Sequence, residues 1–176
     1  MTQLSRRSVM ALAASAAPVV AVGSLAQPAA AATGSLALVH DATLPDARRF
    51  AQRALALGTP STALSGDRVR QAHSLLATRP AAVFGMTRAS DHLLFAEVAR
   101  EHGYGEWLCL THNAGKMTHA RCLVGAEAFA TVAEASGAHW PQAFAESALG
   151  AEPLASGEPD HISDPVSCFS WILHLR

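Results

Sequence analysis

The stretch SLALVHDATLPDARRFAQRALALG, residues 35–58, decides the fold class of this chain. It begins with a short apolar run that stops at His40 and Asp41, as a buried strand does. An amphipathic segment follows, with apolar residues on one side and arginines on the other, which is typical of a helix packed on a sheet. Thr43 and Asp46 resemble a capping box at its start. We therefore expect a strand followed by a helix.

The same strand and helix pattern recurs twice along the chain. A weaker strand over Thr59–Leu64 leads into a second helix that Pro80 terminates. A third strand over Ala81–Met86 precedes a third helix, which begins after Thr87 and is apolar over most of its surface. Strands and helices that alternate every 20 or so residues predict a parallel sheet with right-handed crossovers.

The rest of the chain extends this sheet. Two strand-like runs, Glu106–Thr111 and Met117–Val124, are too close together for a crossover, so they predict an antiparallel hairpin. Two helices are expected over Glu127–Ala135 and Pro141–Leu149, and a strand of alternating apolar and polar residues over Val166–Leu175. The expected fold is α/β: an open, mostly parallel, three-layer sheet of three βα units, extended by the hairpin and a C-terminal strand.

The hairpin turn makes a prediction about the cysteines. A two-residue turn at Gly115 and Lys116 would pair residues whose numbers sum to 231, which places Cys109 directly opposite Cys122. Opposed residues of such a pair are close enough for a disulfide, which would leave Cys168 as a free thiol. The alternatives are two reduced, buried cysteines, or a longer turn that shifts the register.

The same register would place His112 opposite His119, but it predicts no metal site. Two imidazoles need at least one further ligand, for which His40, Asp41 or His161 would have to lie nearby. The nine histidines of the chain show no tight ligand motif. Histidines that face solvent are therefore the favoured interpretation.

Small molecules bind to open parallel sheets beyond the carboxyl ends of the strands. Helix N-termini at that edge favour an anionic ligand such as a carboxylate. Each polar residue there has a purely structural alternative, because such residues commonly cap helices or stabilise turns. The residues expected to form the binding site are His40, Asp41, Gly66, Asp67, Thr87, Arg88, Ser90 and His112.

Composition and missing motifs exclude several functions. Thirteen basic and 14 acidic residues leave no positive excess for binding nucleic acid. The sequence has no dinucleotide-binding glycine pattern, no phosphate loop, no Gly-x-Ser-x-Gly elbow and no Cys-x-x-Cys pair. No residue pattern demands a cofactor, so its cofactors are unknown.

The N-terminal segment predicts export. Residues 1–32 contain no acidic residue, and Arg6 and Arg7 precede a run rich in Ala, Val and Leu. The stretch 5–10, SRRSVM, resembles the twin-arginine (Tat) signal, although Val9 and Ala11 replace residues often found there. Export by the general secretory route therefore remains the alternative.

The resemblance implies a domain organisation and a location. Four alanines at 29–32 suit signal peptidase, so residues 1–32 would be a cleavable signal peptide and 33–176 a single α/β domain. That domain keeps 11 basic and 14 acidic residues, a formal charge of −3. It would lie in the periplasm or otherwise outside the cytoplasm, with the Tat translocase as its partner during export and no stable membrane anchor after cleavage.

Three functions remain open at this point. The first is an exported binding module for a small polar or anionic metabolite, which resembles half of a periplasmic binding protein in layout only. The second is a small hydrolase or isomerase in which Asp41 works with His40 or His112. The third is an accessory subunit of an exported complex, whose strand around Trp171 adds to the sheet of a protein partner.

Overall fold

The strands of the described residues all belong to one sheet. The structure, a computed structural model, describes residues 34–113, 116–118, 127–152 and 167–176. Six strands form the sheet in the spatial order β2-β1-β3-β6-β4-β5. Their bounds are Leu36–His40 (β1), Thr62–Ala63 (β2), Ala82–Thr87 (β3), Tyr104–Asn113 (β4), Lys116–Thr118 (β5) and Cys168–Leu175 (β6).

Helices cover the sheet on both sides. They are Pro45–Ala56 (α1), Arg68–Leu76 (α2), Ala89–Glu101 (α3), Glu127–Ser136 (α4) and Trp140–Leu149 (α5), with a short 3-10 turn at Gly137–His139. No helix of the described part of the chain is long and apolar enough to cross a membrane.

The α/β fold class predicted from the sequence is confirmed. Strand β1 pairs in parallel with both β2 and β3, as the three βα units require. Strands β4 and β5 form the antiparallel hairpin. The sheet is therefore mixed, with its parallel half built from the local βα repeats and its antiparallel half from β4, β5 and β6.

The C-terminal strand lies inside the sheet. Strand β6 runs antiparallel between β3 and β4 and pairs with both. The alternation expected for it is only partly right, because Ser170 and Ile172 are as fully buried as Trp171. A central strand is covered on both faces, so polar residues there are buried too. Since both edges of β6 are occupied, Trp171 is not placed to extend a partner's sheet.

The predicted disulfide between Cys109 and Cys122 is wrong, because the cysteines are not close to each other. The reason is the register of the hairpin. Asn113 pairs with Lys116, so pair numbers sum to 229 instead of 231, which removes the register that opposed Cys109 to Cys122. Position 122 itself lies outside the described residues. Cys109 is instead buried beside Trp171 of β6.

The start of α1 also differs from the expected capping box. The N-cap residue is Leu44, with Pro45 in the first turn, and no side chain caps the helix. Thr43 bonds to Asp41 instead, through both its backbone N–H and its hydroxyl. The short polar segment before the helix therefore forms an Asx turn, which leaves the helix amides uncapped.

The two faces of the sheet have separate cores. Helices α1, α4 and α5 pack on one, which we call the α5 face, around Phe50, Phe84 and Phe144. Helices α2 and α3 pack on the other, the α3 face, around Phe95 and Trp171. Successive residues of β6 contribute to opposite faces, as the pleat requires. In β4 this alternation is interrupted by an irregularity between Glu106 and Leu108.

Candidate functional site

The three βα units end at one edge of the sheet, which we call the rim. His40 of β1 pairs with Ala63 of β2 and with Met86 of β3, so the carboxyl ends of the three strands are level. The backbone N–H of Leu64 bonds to the carbonyl of His40 just beyond the last pair. The segments near residues 40, 66 and 87 therefore lie side by side, as the sequence predicts.

A closed ring of polar contacts joins β1 to β3 at the rim. Arg88 Nε lies 3.0 Å from Asp41 Oδ2, and Arg88 Nη2 donates to Thr43 Oγ1 at 2.8 Å. Thr43 in turn donates its hydroxyl to Asp41 Oδ1 at 2.6 Å. The Asp41 side chain is only 3% exposed, whereas that of Arg88 is 52% exposed. The carboxylate thus holds the guanidinium in a fixed place at the surface.

A second arginine reaches the same loop. Arg48 is exposed and donates from Nη1 to the backbone carbonyls of Ala42, at 3.1 Å, and Thr43, at 3.4 Å. Two guanidinium groups therefore bind Thr43, Arg88 through the side chain and Arg48 through the backbone. Since each guanidinium has five N–H donors, these contacts leave donors on both that can bind a ligand.

The remaining predicted residues on β3 and α3 divide into buried and exposed. Thr87 is fully buried, donates to the Arg88 carbonyl at 3.0 Å and accepts from Trp171 Nε1 at 2.9 Å. It therefore stabilises the end of β3 and does not face a ligand. Ser90 is exposed in the first turn of α3. Thr87 therefore has a structural role instead of a ligand-binding one, whereas Ser90 is exposed at the rim as predicted for a binding residue.

The loop between β2 and α2 lies at the rim but has a structural role. Asp67 caps α2 by accepting from Arg70 N at 3.0 Å. Gly66 has a φ of +64°, a backbone conformation that favours glycine, and accepts from Arg68 Nη1 at 3.3 Å. Arg68 also reaches Asp91 of α3 at 3.2 Å. This ion pair connects the starts of α2 and α3.

His40 is half-buried beside the loop before β2. Its Nδ1 lies 3.0 Å from Ser61 Oγ. Burial lowers the pKa of His40, and the nearby charge of Asp41 offsets part of that effect. Both side chains already have hydrogen-bond partners: His40 bonds to Ser61, and Asp41 bonds to Thr43 and Arg88.

His112 forms a different cluster, on the α5 face where β4 reaches the rim. Its Nε2 lies 2.8 Å from Ser170 Oγ, and Trp140 Nε1 donates to the same oxygen at 2.8 Å. An indole can only donate, so Ser170 Oγ accepts from Trp140, and its hydroxyl hydrogen can still be donated to His112 Nε2. In that arrangement Nε2 is the unprotonated nitrogen, and Nδ1 carries the proton.

Burial decides the charge of His112. Desolvation lowers its pKa to about 4, and the charge of Asp46 offsets only part of that change. The ring stacks on Trp140 with centroids 5.8 Å apart. A neutral imidazole that accepts a hydrogen bond from a serine hydroxyl has the arrangement of a general base.

The hairpin does not have the register that would oppose the two histidines predicted to face each other across it. His112 pairs with Met117, so the expected opposition of His112 and His119 is wrong. Positions 119 and 161 lie outside the described residues. Within the described residues, no group of three or more His, Cys, Asp or Glu side chains is placed to hold a metal ion.

Comparisons with known proteins identify no relative: no family, curated protein or solved structure matches this chain. The chemistry of the site is therefore argued from its own residues. The Asp41 and Arg88 ring can bind an anion, and the Ser170 and His112 pair can move a proton. Strands β3 and β4 flank β6, so the two clusters are about 10 Å apart across the sheet.

Sequence reasoning missed three residues of these clusters. Arg48 was assigned to the solvent side of α1, but its distance from Thr43, about one helical turn, could have indicated the contact. Ser170 and Trp140 are 30 residues apart and meet only because β6 lies under α5. No local pattern predicts such a contact.

Proposed function

We propose that this chain is an exported α/β domain that binds a small anionic metabolite, of the carboxylate class, at the rim. The observation that carries the proposal is the arginine pair on the loop after β1. Arg48 and Arg88 both bind Thr43, and the buried carboxylate of Asp41 holds Arg88 in place. A fixed guanidinium suits a carboxylate because its planar donors match the two oxygens.

The burial difference within the ring supports an anionic ligand over a cationic one. The Asp41 carboxylate is inside the protein and already accepts bonds on both oxygens. The Arg88 guanidinium is half-exposed, and the Arg48 side chain is exposed as well. A ligand that reaches this surface therefore meets positive charge first.

The helix ends support the same conclusion. The N-termini of α1 and α3 have no side-chain cap, whereas Asp67 caps α2. Uncapped first-turn amides favour an anion. The two uncapped helices are the ones that follow β1 and β3, the strands joined by the arginine ring.

Ligand-induced thermal stabilisation tests this proposal. The purified protein is heated with mono-, di- and tricarboxylates, and with sodium chloride at equal ionic strength as the reference. A ligand at 100 times its Kd contributes about 2.7 kcal/mol, which corresponds to a rise in Tm of roughly 8 °C for a domain of this size. No rise above the chloride reference with any carboxylate contradicts the proposal.

Paired variants locate the binding. Arg48→Gln combined with Arg88→Gln should remove the ligand-induced rise in Tm. Arg100→Gln is the matched control, because Arg100 is an exposed arginine at the opposite end of α3. A carboxylate that still stabilises the double variant, or fails with Arg100→Gln as well, binds somewhere other than the rim.

The export half of the proposal rests on Arg6 and Arg7. Arg6→Lys with Arg7→Lys keeps the charge but removes the guanidinium pair that the Tat resemblance involves. Fractionation of a bacterial host that carries a Tat translocase should find the wild type outside the cytoplasm and the double variant inside it. Export of both forms would point to the general secretory route, and retention of both would contradict export.

A second candidate, acid–base catalysis, is favoured by one observation: His112, which burial keeps neutral, lies with Nε2 2.8 Å from the Ser170 hydroxyl. The reaction class is hydrolysis or isomerisation, with His112 as the base in place of Asp41. Hydrolysis of p-nitrophenyl acetate by the wild type, lost in both His112→Gln and Ser170→Ala, would support it. Turnover equal to the uncatalysed rate, or unchanged in the variants, would reject it.

A further inference from the structure

The α3 face holds a second histidine cluster, which begins one helical turn after Arg88: the backbone N–H of His92 bonds to the Arg88 carbonyl. His92 lies in the first turn of α3 and is 6% exposed. Its Nε2 is 2.8 Å from Glu106 Oε2, and its Nδ1 is 3.8 Å from Cys109 Sγ. One imidazole thus bridges a carboxylate and a thiol, both of which belong to β4.

Hydrogen-bond chemistry fixes the direction of this relay. A carboxylate can only accept, so His92 Nε2 carries the proton that bonds to Glu106. In the neutral ring, Nδ1 then has a lone pair that faces the Cys109 thiol. This is the order of nucleophile, base and orienting carboxylate that activates thiols and hydroxyls in unrelated proteins.

Aromatic rings hold the imidazole in this orientation. His92 stacks on Phe169 with centroids 6.2 Å apart and an angle of 17°. Trp171 packs against it at 5.7 Å. A histidine fixed in this way keeps Nδ1 directed at sulfur, because rotation of the ring would break the Glu106 bond and disturb both contacts.

We propose that Cys109 is a peroxide-reactive thiol that His92 activates and Glu106 orients. The size of the oxidant follows from burial. Cys109 is 5% exposed, while the Glu106 side chain is 30% exposed at the solvent side of the cluster. A hydroperoxide is small enough to reach such a sulfur, whereas a peptide or an acylated substrate is not.

The reaction balances with the hydroperoxide as the only co-reactant. The thiol proton passes to His92 Nδ1, and Sγ attacks one peroxide oxygen as the O–O bond breaks. Sγ gains the oxygen and becomes a sulfenic acid, while the other oxygen takes the proton back from His92 and leaves as water or an alcohol. Sulfur is oxidised by two electrons and the peroxide is reduced by two.

Cys168 is the internal control. It is also buried, but it belongs to the core of the α5 face, so the sheet separates it from Cys109. Burial raises the pKa of its thiol, and the charges of Asp46 and Asp41 raise it further. Cys168 should therefore resist oxidation, and it cannot condense with a sulfenic acid on Cys109 to form a disulfide.

Trapping of the sulfenic acid tests the proposal. The native protein carrying Cys122→Ser, so that only the two described thiols are present, is treated with hydrogen peroxide and dimedone, and labelled peptides are quantified by mass spectrometry. We expect the label on Cys109 at least about tenfold faster than on Cys168. No native label on Cys109, or a faster label on Cys168, overturns the proposal.

Variants separate activation from simple access. His92→Asn should slow the labelling of Cys109 at least about tenfold, and Glu106→Gln should slow it by a smaller factor. His102→Asn, at the other end of α3, is the matched control and should leave the rate unchanged. Equal rates in wild type and His92→Asn contradict the proposal.

Labelling in urea guards against a folding artefact. Once the chain is unfolded, the two thiols should react at similar rates and His92→Asn should have no effect, because the relay exists only in the folded protein. A His92→Asn effect that persists in urea would overturn the role of the relay.

Discussion

The two faces of the sheet each bury a histidine, and their partners differ. On the α5 face, His112 bonds to the hydroxyl of Ser170 and stacks on Trp140. On the α3 face, His92 bonds to the carboxylate of Glu106 and approaches a thiol. Burial keeps His112 uncharged at neutral pH, and its hydrogen-bond partner is a neutral hydroxyl. The partner of His92 is a carboxylate, which fixes the tautomer of that ring.

Tryptophans anchor both clusters in the same manner. Trp140 donates its indole N–H to Ser170, and Trp171 donates its own to Thr87. Each hydroxyl lies on a central strand and is fully buried. A satisfied indole N–H on each face allows a large aromatic ring to fill the core without leaving an unpaired donor.

Displacement of the Trp171 indole should cause the largest loss of stability among the variants that compare the two faces. A Cβ at Gly85 would overlap the six-membered ring of Trp171, so Gly85→Ala should displace the indole and break its bond to Thr87. We expect a loss of about 4 kcal/mol in the free energy of unfolding, measured with urea.

Gly105→Ala is the matched control for that substitution. Its Cβ would meet the end of the flexible Arg176 side chain, which can move aside, so we expect a cost of less than about 1 kcal/mol. Equal losses in the two variants would mean that Trp171 does not anchor the α3 face.

The next largest effect should be the loss of stability at acidic pH, which arises mainly from protonation of His112 on unfolding. Its folded pKa of about 4 is below the usual 6.5, so the unfolded chain binds the proton more readily between those values. His112 therefore contributes its full stability above pH 6.5 and loses it as the pH falls towards 4. The loss is about 3 kcal/mol.

Urea unfolding at pH 7 and at pH 4 measures this effect. His40 and His174 have lowered pKa values for the same reason and add to the loss in the same direction. His112→Gln should therefore reduce the pH dependence without removing it. A variant with the full pH dependence of the wild type would show that His112 is not the group that titrates.

Removal of one indole N–H should have the smallest effect of the three. Trp140→Phe and Trp171→Phe each delete one hydrogen bond and part of a ring while the hydroxyl keeps another partner, so we expect about 2 kcal/mol from each. Thermal unfolding of the two variants compares the faces directly. A much larger loss from one would show that its face carries more of the stability.

The local part of the fold could be predicted from sequence, and the long-range part could not. Each βα unit is encoded by periodicity within about 25 residues, so the parallel half of the sheet and the shared rim follow from the pattern. The place of β6 depends on which strand edges are available after the units have assembled. Nothing near Cys168 or Trp171 in the sequence indicates that position.

The hairpin error has the same origin. Strand β4 continues to Asn113 because β6 pairs along it as far as His112. That pairing fixes where β4 can turn. The numbers of paired residues in the hairpin then sum to 229 instead of the expected 231. A shift of this size is enough to separate Cys109 from the position predicted for its partner.

The candidate site was likewise predicted only in part. The sequence placed Asp41 and Arg88 at the rim, because both directly follow a parallel strand. It did not predict that Thr43 would join them instead of capping α1. Side-chain competition of that kind depends on the neighbouring strand, which supplies the arginine that Thr43 also binds.

The sequence by itself determined the α/β class, the three βα units and a polar edge where their strands end, since these arise from local periodicity and strand polarity. The tertiary structure alone decided which imidazole meets a carboxylate and which a hydroxyl. His92 and Glu106 are 14 residues apart, and His112 and Ser170 are 58 apart. The position of β6 beside β4 brings the second pair together, and the packing of α3 on the sheet brings the first.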